Sequence, residues 1–270
     1  MKLRNRDPNL KNGVQIRMDK MLLVLDWLLE FGCSSYPILA RLLDSPSAGH
    51  QSRFFNSLIE DELVMEFRNT HTAHTRLIHL RKGGVDILRS LGRNVQGAKT
   101  RTSWMGHYST ILHDLGVQNC VLNRACQYRD VIHESRMGWE GYRPDAILYN
   151  EQDDYWSALE YERSRKSHLR VYESFLGNWK HIEAGRFSGV IYTFHRELDM
   201  KNYQKLFAEP EWPVTQRKVD TKVADTGRVV RGDKLAAIKK RFAFRFEPFW
   251  ISATDKAFDE MGALTISAPK

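Results

Sequence analysis

At 270 residues and 31.5 kDa, the chain is too long for one small domain and suits two. Hydrophobic residues at 42% and charged residues at 27% exclude a wholly disordered or fibrous protein. The most apolar stretch, residues 21–29, is interrupted by Asp26, which excludes a membrane span there. Forty-one Lys and Arg against 33 Asp and Glu leave a charge of +8 and a pI near 9.4, a balance that points to a polyanionic partner. Cys33, Cys120 and Cys126 are too few for a disulfide framework and form no CxxC pair. With no secretory cleavage pattern near the start, the expected compartment is reducing and cytoplasmic, with no membrane insertion.

The periodicity predicts a first helix over residues 17–31, with Met18, Met21, Leu22, Leu25, Leu28 and Leu29 on its apolar face and Gly32 ending it. Ser34 or Ser35 caps a short second helix that carries Pro37 in its first turn and Leu39, Leu42 and Leu43 inward. After the turn at residues 44–47, a third helix runs from about 48 to 61, with Phe54, Phe55, Leu58 and Ile59 facing in. Its outward Gln51, Arg53 and Asn56 could reach base edges and phosphates. The period then drops to two, giving strands at 63–68 and 76–80 joined by a polar loop. Three helices followed by a hairpin resemble the winged helix-turn-helix, here over residues 15–92, and Lys82-Gly83 resembles the start of the helix that follows the wing. His74 and Arg76 are then wing residues contacting phosphate. The spacing of His71, His74 and His79 does not suit a histidine metal site.

Residues 91–102, with two glycines and three basic residues, read as a linker. Ser103 is expected to cap a helix over 103–115, with Trp104, Tyr108, Ile111, Leu112 and Leu115 on its face and Asp114 near its end. The sequence from Tyr142 to Tyr149 reads as a strand, residues 150–154 as a turn, and 155–162 as the returning strand. Such a hairpin can set Asp145 beside Glu160 on one face. Their mutual repulsion is relieved by a divalent cation, and hard oxygen ligands suit Mg²⁺ or Mn²⁺. A helix over 167–184, a strand over 189–194 and a helix over 200–207 follow. Residues 215–245 carry ten Lys and Arg against three Asp and Glu and read as a basic connector. The alternating aromatics of residues 241–250 read as a half-buried strand.

Pro144-Asp145 followed by Glu160-Tyr161-Glu162, within a helix–hairpin–helix–strand order, resembles the PD-(D/E)XK nuclease superfamily. The resemblance implies an α/β restriction-endonuclease-like core over residues 103–208, with residues 209–270 as basic connector and C-terminal extension. It implies metal-dependent cleavage of a phosphodiester, with Asp145 and Glu160 as metal ligands, the Tyr161 carbonyl completing them and Asp114 available from the first helix. Glu162 stands where the superfamily usually has lysine, and Lys166, one helical turn on, could supply the displaced charge. Arg163 and Arg165 would hold DNA phosphates.

The domain order, with His113-Asp114-Leu115, Arg143-Pro144-Asp145-Ala146 and the residues 160–164, resembles the replication-relaxation family and the MobC-type relaxases of mobilisable plasmids. That implies a protein that binds double-stranded DNA at a transfer origin and nicks one strand, in company with accessory mobilisation proteins and a coupling ATPase. Two alternatives stay open: a non-catalytic winged-helix regulator or accessory mobilisation factor, and a restriction endonuclease of the same fold.

Overall fold

The computed structural model describes residues 13–68, 76–101, 108–217, 222–250 and 256. The chain is mixed α and β and divides into two units, residues 1–123 with 249–270, and residues 124–248.

The first unit opens with α1 (Gly13–Phe31), which buries Val24, Leu25, Trp27, Leu28 and Phe31. Gly32 takes φ 84°, a left-handed conformation that suits glycine, and its N–H closes onto Leu28 O at 2.8 Å, so the helix ends where the sequence predicts. A short strand β1 (Cys33–Ser35) follows, which three residues without alternation do not announce. Ser35 then caps α2 (Tyr36–Leu42) by accepting from Ile38 N–H at 3.5 Å, with Pro37 in the first turn. A 3₁₀ turn (Gly49–Gln51) leads into α3 (Ser52–Glu60), which buries Phe55 and Leu58. Strands β2 (Val64–Arg68) and β3 (Arg76–Leu80) form an antiparallel hairpin, and β1 joins its β3 side to give the order β1-β3-β2.

The next helix, α4 (Lys82–Ser90), starts at the predicted lysine-glycine pair. A Cβ on Gly84 would lie 2.4 Å from Leu63 O, so only glycine lets the helix approach the chain entering β2 this closely. Residues 91–101 carry no helix or strand, as a linker should. The expected cap at Ser103, and Trp104 with it, lie outside the described residues.

The following helix departs from expectation. Running as α5 (Tyr108–Asn123), it passes straight through Gly116 and buries Val117, Cys120 and Val121 beyond it. It belongs to the first unit. Gln118, fully buried, accepts from Trp27 Nε1 at 2.9 Å and from Ser34 Oγ at 2.6 Å, and donates to Cys33 O at 2.8 Å. Arg41 also reaches it, through Asn119 and Asn123. These ties put the division after Asn123, not at the linker where composition alone draws it.

The second unit is built on a mixed five-stranded sheet. Its strands are β4 (Asp130–His133), β5 (Ala146–Asn150), β6 (Tyr155–Glu162), β7 (Gly189–Phe194) and β10 (Phe242–Phe246), ordered β10-β7-β6-β5-β4. The pairs β4/β5 and β5/β6 are antiparallel, while β6/β7 and β7/β10 are parallel. The parallel step from β6 to β7 uses α6 (His168–Glu183) as its crossover, and α7 (Glu197–Ala208) follows β7. Residues 142–145, expected as strand, precede β5 as irregular chain. Strand β6 runs over the predicted eight residues and is buried along its last six, as a central strand is.

The expected basic connector is instead folded. β8 (Glu211–Arg217) and β9 (Val223–Arg231) pair as a separate antiparallel hairpin, and α8 (Gly232–Lys239) leads into β10. Trp212, Leu235 and Ile238 are buried in the same core as Tyr172, Phe175 and Tyr192. A few large side chains anchor this segment while its many Lys and Arg stay outside, a pattern that composition alone reads as solvated.

Candidate functional site

The β5–β6 hairpin fixes the geometry. Asn150 organises the turn, its Oδ1 accepting from Gln152 N–H at 2.9 Å and Asp153 N–H at 3.3 Å, and Asp154 closes it at φ 51°. The register pairs Ala146 with Leu159, so one step further Asp145 stands opposite Glu160, and opposed residues share a face. Asp145 Oδ2 accepts from Tyr161 N–H at 2.7 Å, which ties the chain after Pro144 to the end of β6.

Glu160 is 2% exposed, and its Oε1 accepts from the Tyr142 hydroxyl at 2.6 Å and from Asn178 Nδ2 at 2.6 Å. Burial, and after it the negative charge of Asp145, push its carboxyl up to about 8, against the opposing pull of Lys166 and the two hydrogen bonds. Two positions on, Glu162 is equally buried and accepts from Lys166 Nζ at 2.7 Å. Burial works to lower the Lys166 pKa, but the charges of Glu162, Glu160 and Asp145 prevail and hold it above the usual lysine range. The three acidic residues and the lysine singled out in this stretch therefore act on one another in one place.

Asp114 lies on α5 in the first unit, where its charge acts on Cys33, whose thiol is pushed up to about 12 mainly by burial. Arg163 is half-buried and Arg165 exposed, on the segment between β6 and α6. On α3, Arg53 and Asn56 are exposed, while Gln51 is half-buried and donates to Ser45 Oγ at 3.2 Å. Arg76 is exposed at the start of β3 and is engaged within the hairpin. Its Nε donates to Glu66 Oε2 at 2.7 Å, a second donor from Nη2 joins it, and the guanidinium lies 4.7 Å from the Tyr36 ring centre. That hydrogen bonding in turn holds the Glu66 carboxyl below its ordinary range. His71 and His74 lie outside the described residues. His79 is buried on β3, with Nδ1 at 2.8 Å from Leu80 O.

Sequence reasoning misses the polar cradle of Glu160. Tyr142, Ser174, Asn178 and Tyr192 form one connected hydrogen-bonded group around its Oε1. A signal for it exists: Ser174, Gly177, Asn178 and His181 recur at i, i+3, i+4 and i+7 and form a small polar stripe on α6.

Among the described residues, no group of three or more His, Cys, Asp or Glu is gathered as a complete metal cage. Two repelling carboxylates on one face nonetheless suit a hard divalent cation of the Mg²⁺ type, which binds through one or two carboxylates and completes its shell with water and substrate phosphate. No family model matches the chain, and neither the curated proteins nor the solved structures give a match.

Proposed function

We propose that the chain processes DNA: that its first unit is a winged helix-turn-helix that binds a duplex site, and that its second is a PD-(D/E)XK-type core that cuts one phosphodiester. The observation that carries the reading is the Asp145–Glu160 pair, Asp145 just before β5 and Glu160 on β6, in electrostatic contact and within reach of the Lys166 charge. The order of α5, β4, β5, β6, α6 and β7 around that pair supports it, as does the exposure of Arg53 and Asn56 on α3.

On this reading Asp145 and Glu160 hold Mg²⁺ or Mn²⁺. Such an ion lowers the pKa of a water molecule and offsets charge on the scissile phosphate. Ionised Glu160 is the ligand form, so cation and proton compete for it. Lys166 stays protonated and sets a positive charge beside the phosphate, while Glu162 fixes where that charge sits. Tyr161 is buried, with its hydroxyl 3.3 Å from His195 Nδ1, and strand alternation turns it away from Glu160 and Glu162. Attack by water, without a tyrosine adduct, is the corresponding chemistry. The biological setting is plasmid mobilisation, with a transfer origin as the bound site and accessory mobilisation proteins and a coupling ATPase as partners.

The test is a nicking assay on supercoiled plasmid carrying the native flanking DNA. Wild type should convert it to open circle only with Mg²⁺ or Mn²⁺, and both Asp145→Ala and Glu160→Ala should abolish the conversion. Linear product would point to a restriction endonuclease. A second reading, a non-catalytic DNA-binding factor on the same scaffold, draws on the engagement of Lys166 with Glu162, which neutralises the charge that catalysis would use. Tight site-specific binding with no nicking under either metal would establish it.

A further inference from the structure

Tyr142 is held at both ends. Its ring lies against Gly177 of α6 so closely that a Cβ there would sit 2.5 Å from Cγ of the ring, which only glycine permits. Its hydroxyl donates to Glu160 Oε1 at 2.6 Å and lies 2.7 Å from Ser174 Oγ. Its carbonyl lies 2.5 Å from His181 Nε2, while Arg186 Nη1 donates to His181 Nδ1 at 2.9 Å. Because Nδ1 accepts, the proton of the neutral ring sits on Nε2, and the imidazole donates to the Tyr142 carbonyl. Arg186 is itself steadied over the Trp139 ring, 4.7 Å from its centre. One face of α6 thus clamps the residue that leads into Pro144-Asp145, and that residue pins one oxygen of Glu160. Asn178, on the same face, pins that oxygen too.

We propose that Tyr142 is the positioning residue of the carboxylate pair: with Asn178 it occupies Oε1 of Glu160 and leaves Oε2 as the single oxygen for a cation shared with Asp145. The inference rests on the metal-dependent reading above and adds to it the group that sets the ligand geometry. A tyrosine that served packing alone would matter to stability, whereas one that orients a ligand matters to metal affinity, typically by ten- to a hundredfold for such an outer partner.

The experiment is a titration of the full chain with Mn²⁺ alone, following free Mn²⁺ by electron paramagnetic resonance, for wild type, Asp145→Ala and Tyr142→Phe, beside thermal unfolding of each without metal. The expected result is Mn²⁺ binding that Asp145→Ala removes and that Tyr142→Phe weakens by about ten- to a hundredfold at a temperature well below its metal-free unfolding midpoint, where the variant is fully folded. Wild-type affinity in Tyr142→Phe overturns the inference and leaves the metal reading standing. Absence of Mn²⁺ binding by wild type overturns the metal reading, and the inference with it. Should Tyr142→Phe fail to fold, Gly177→Ala, which displaces the ring without removing a polar group, is titrated in its place, and unchanged affinity there overturns the inference.

Discussion

The fully buried positions of the first unit are mostly apolar, Val24, Leu25, Trp27, Leu28, Phe31, Phe55 and Leu58 among them, with neutral Gln118 and Ser34 beside them, and among the described residues its acids other than Asp114 stay toward the surface in pairs such as Arg17–Asp61 and Arg89–Asp86. The second unit has an equally large aromatic core around Phe175, yet sinks Glu160 and Glu162 into the strand that runs through its middle. Exposed ion pairs contribute little, about 0–1 kcal/mol each, so the first unit's surface charges can vary at small cost. A buried carboxylate costs several kcal/mol unless donors and opposite charge offset it. The second unit supplies those donors from Tyr142, Asn178 and Lys166. Such an expense is concentrated where a chain performs chemistry.

If that contrast is right, the first unit should yield most to a cavity. Trp27 is fully buried, packs 4.5 Å from the Phe31 ring centre and gives its indole N–H to Gln118. Trp27→Ala should cost about 3–5 kcal/mol in denaturant unfolding, with Gln118 losing a donor besides. A cost under about 1 kcal/mol would show that this core repacks freely and would break the comparison from the first side.

The second unit should instead answer to pH. The Glu160 carboxyl titrates near 8 in the fold, above its ordinary value of 4.5. Between those two values the folded chain keeps a proton that the unfolded chain has released. Its contribution to stability is therefore full at low pH and is lost as pH rises through about 8. Glu160→Gln keeps an acceptor for Tyr142 and Asn178 but cannot ionise. In chelator, its advantage over wild type should grow from nearly nothing at about pH 5 to a few kcal/mol at about pH 9, since each tenfold change in proton affinity between fold and unfolded chain is worth about 1.4 kcal/mol. Equal slopes for both proteins would mean that Glu160 stays ionised in the fold.

Much of this contrast is visible in the sequence, for definable reasons. Alternation over residues 155–162 sets the faces of β6, and a turn rich in Asn and Asp sets the register, so the pairing of Asp145 with Glu160 needs only local information. Gly32 and Lys82-Gly83 punctuate helices through backbone geometry that is likewise local. The cradle of Glu160 is not local: Asn178 lies eighteen positions away on a helix whose packing is fixed only by the whole sheet. Gly116 misleads because a glycine inside a buried helix looks like a terminator when the apolar residues beyond it are not weighed. The β8–β9 hairpin is hidden by basic residues surrounding its few anchors, Trp212 and Val230.

A smaller effect sharpens the first unit's description. Ser35 accepts the Ile38 N–H at the start of α2. Ser35→Ala should lower unfolding stability by about 1 kcal/mol. Any Mn²⁺ binding under the proposed metal reading should remain unchanged, because a cap acts through the helix it starts. A shift in Mn²⁺ binding in this variant would tie the two units together energetically.

The smallest effect separates two arginines that the sequence treats alike. Arg53 is exposed on α3, while Arg76 is committed to Glu66 and the Tyr36 ring. If α3 faces a duplex, Arg53→Ala should weaken DNA binding and reduce the slope of log affinity against log salt by about 1, the release of roughly one counterion. Arg76→Ala should leave that slope unchanged. It should cost at most about 1 kcal/mol of stability, because its partner Glu66 remains able to reach water. The reverse outcome, an altered slope for Arg76→Ala alone, would mean that the Glu66 pair opens on binding, so that the first unit, too, keeps a charge in reserve for its ligand.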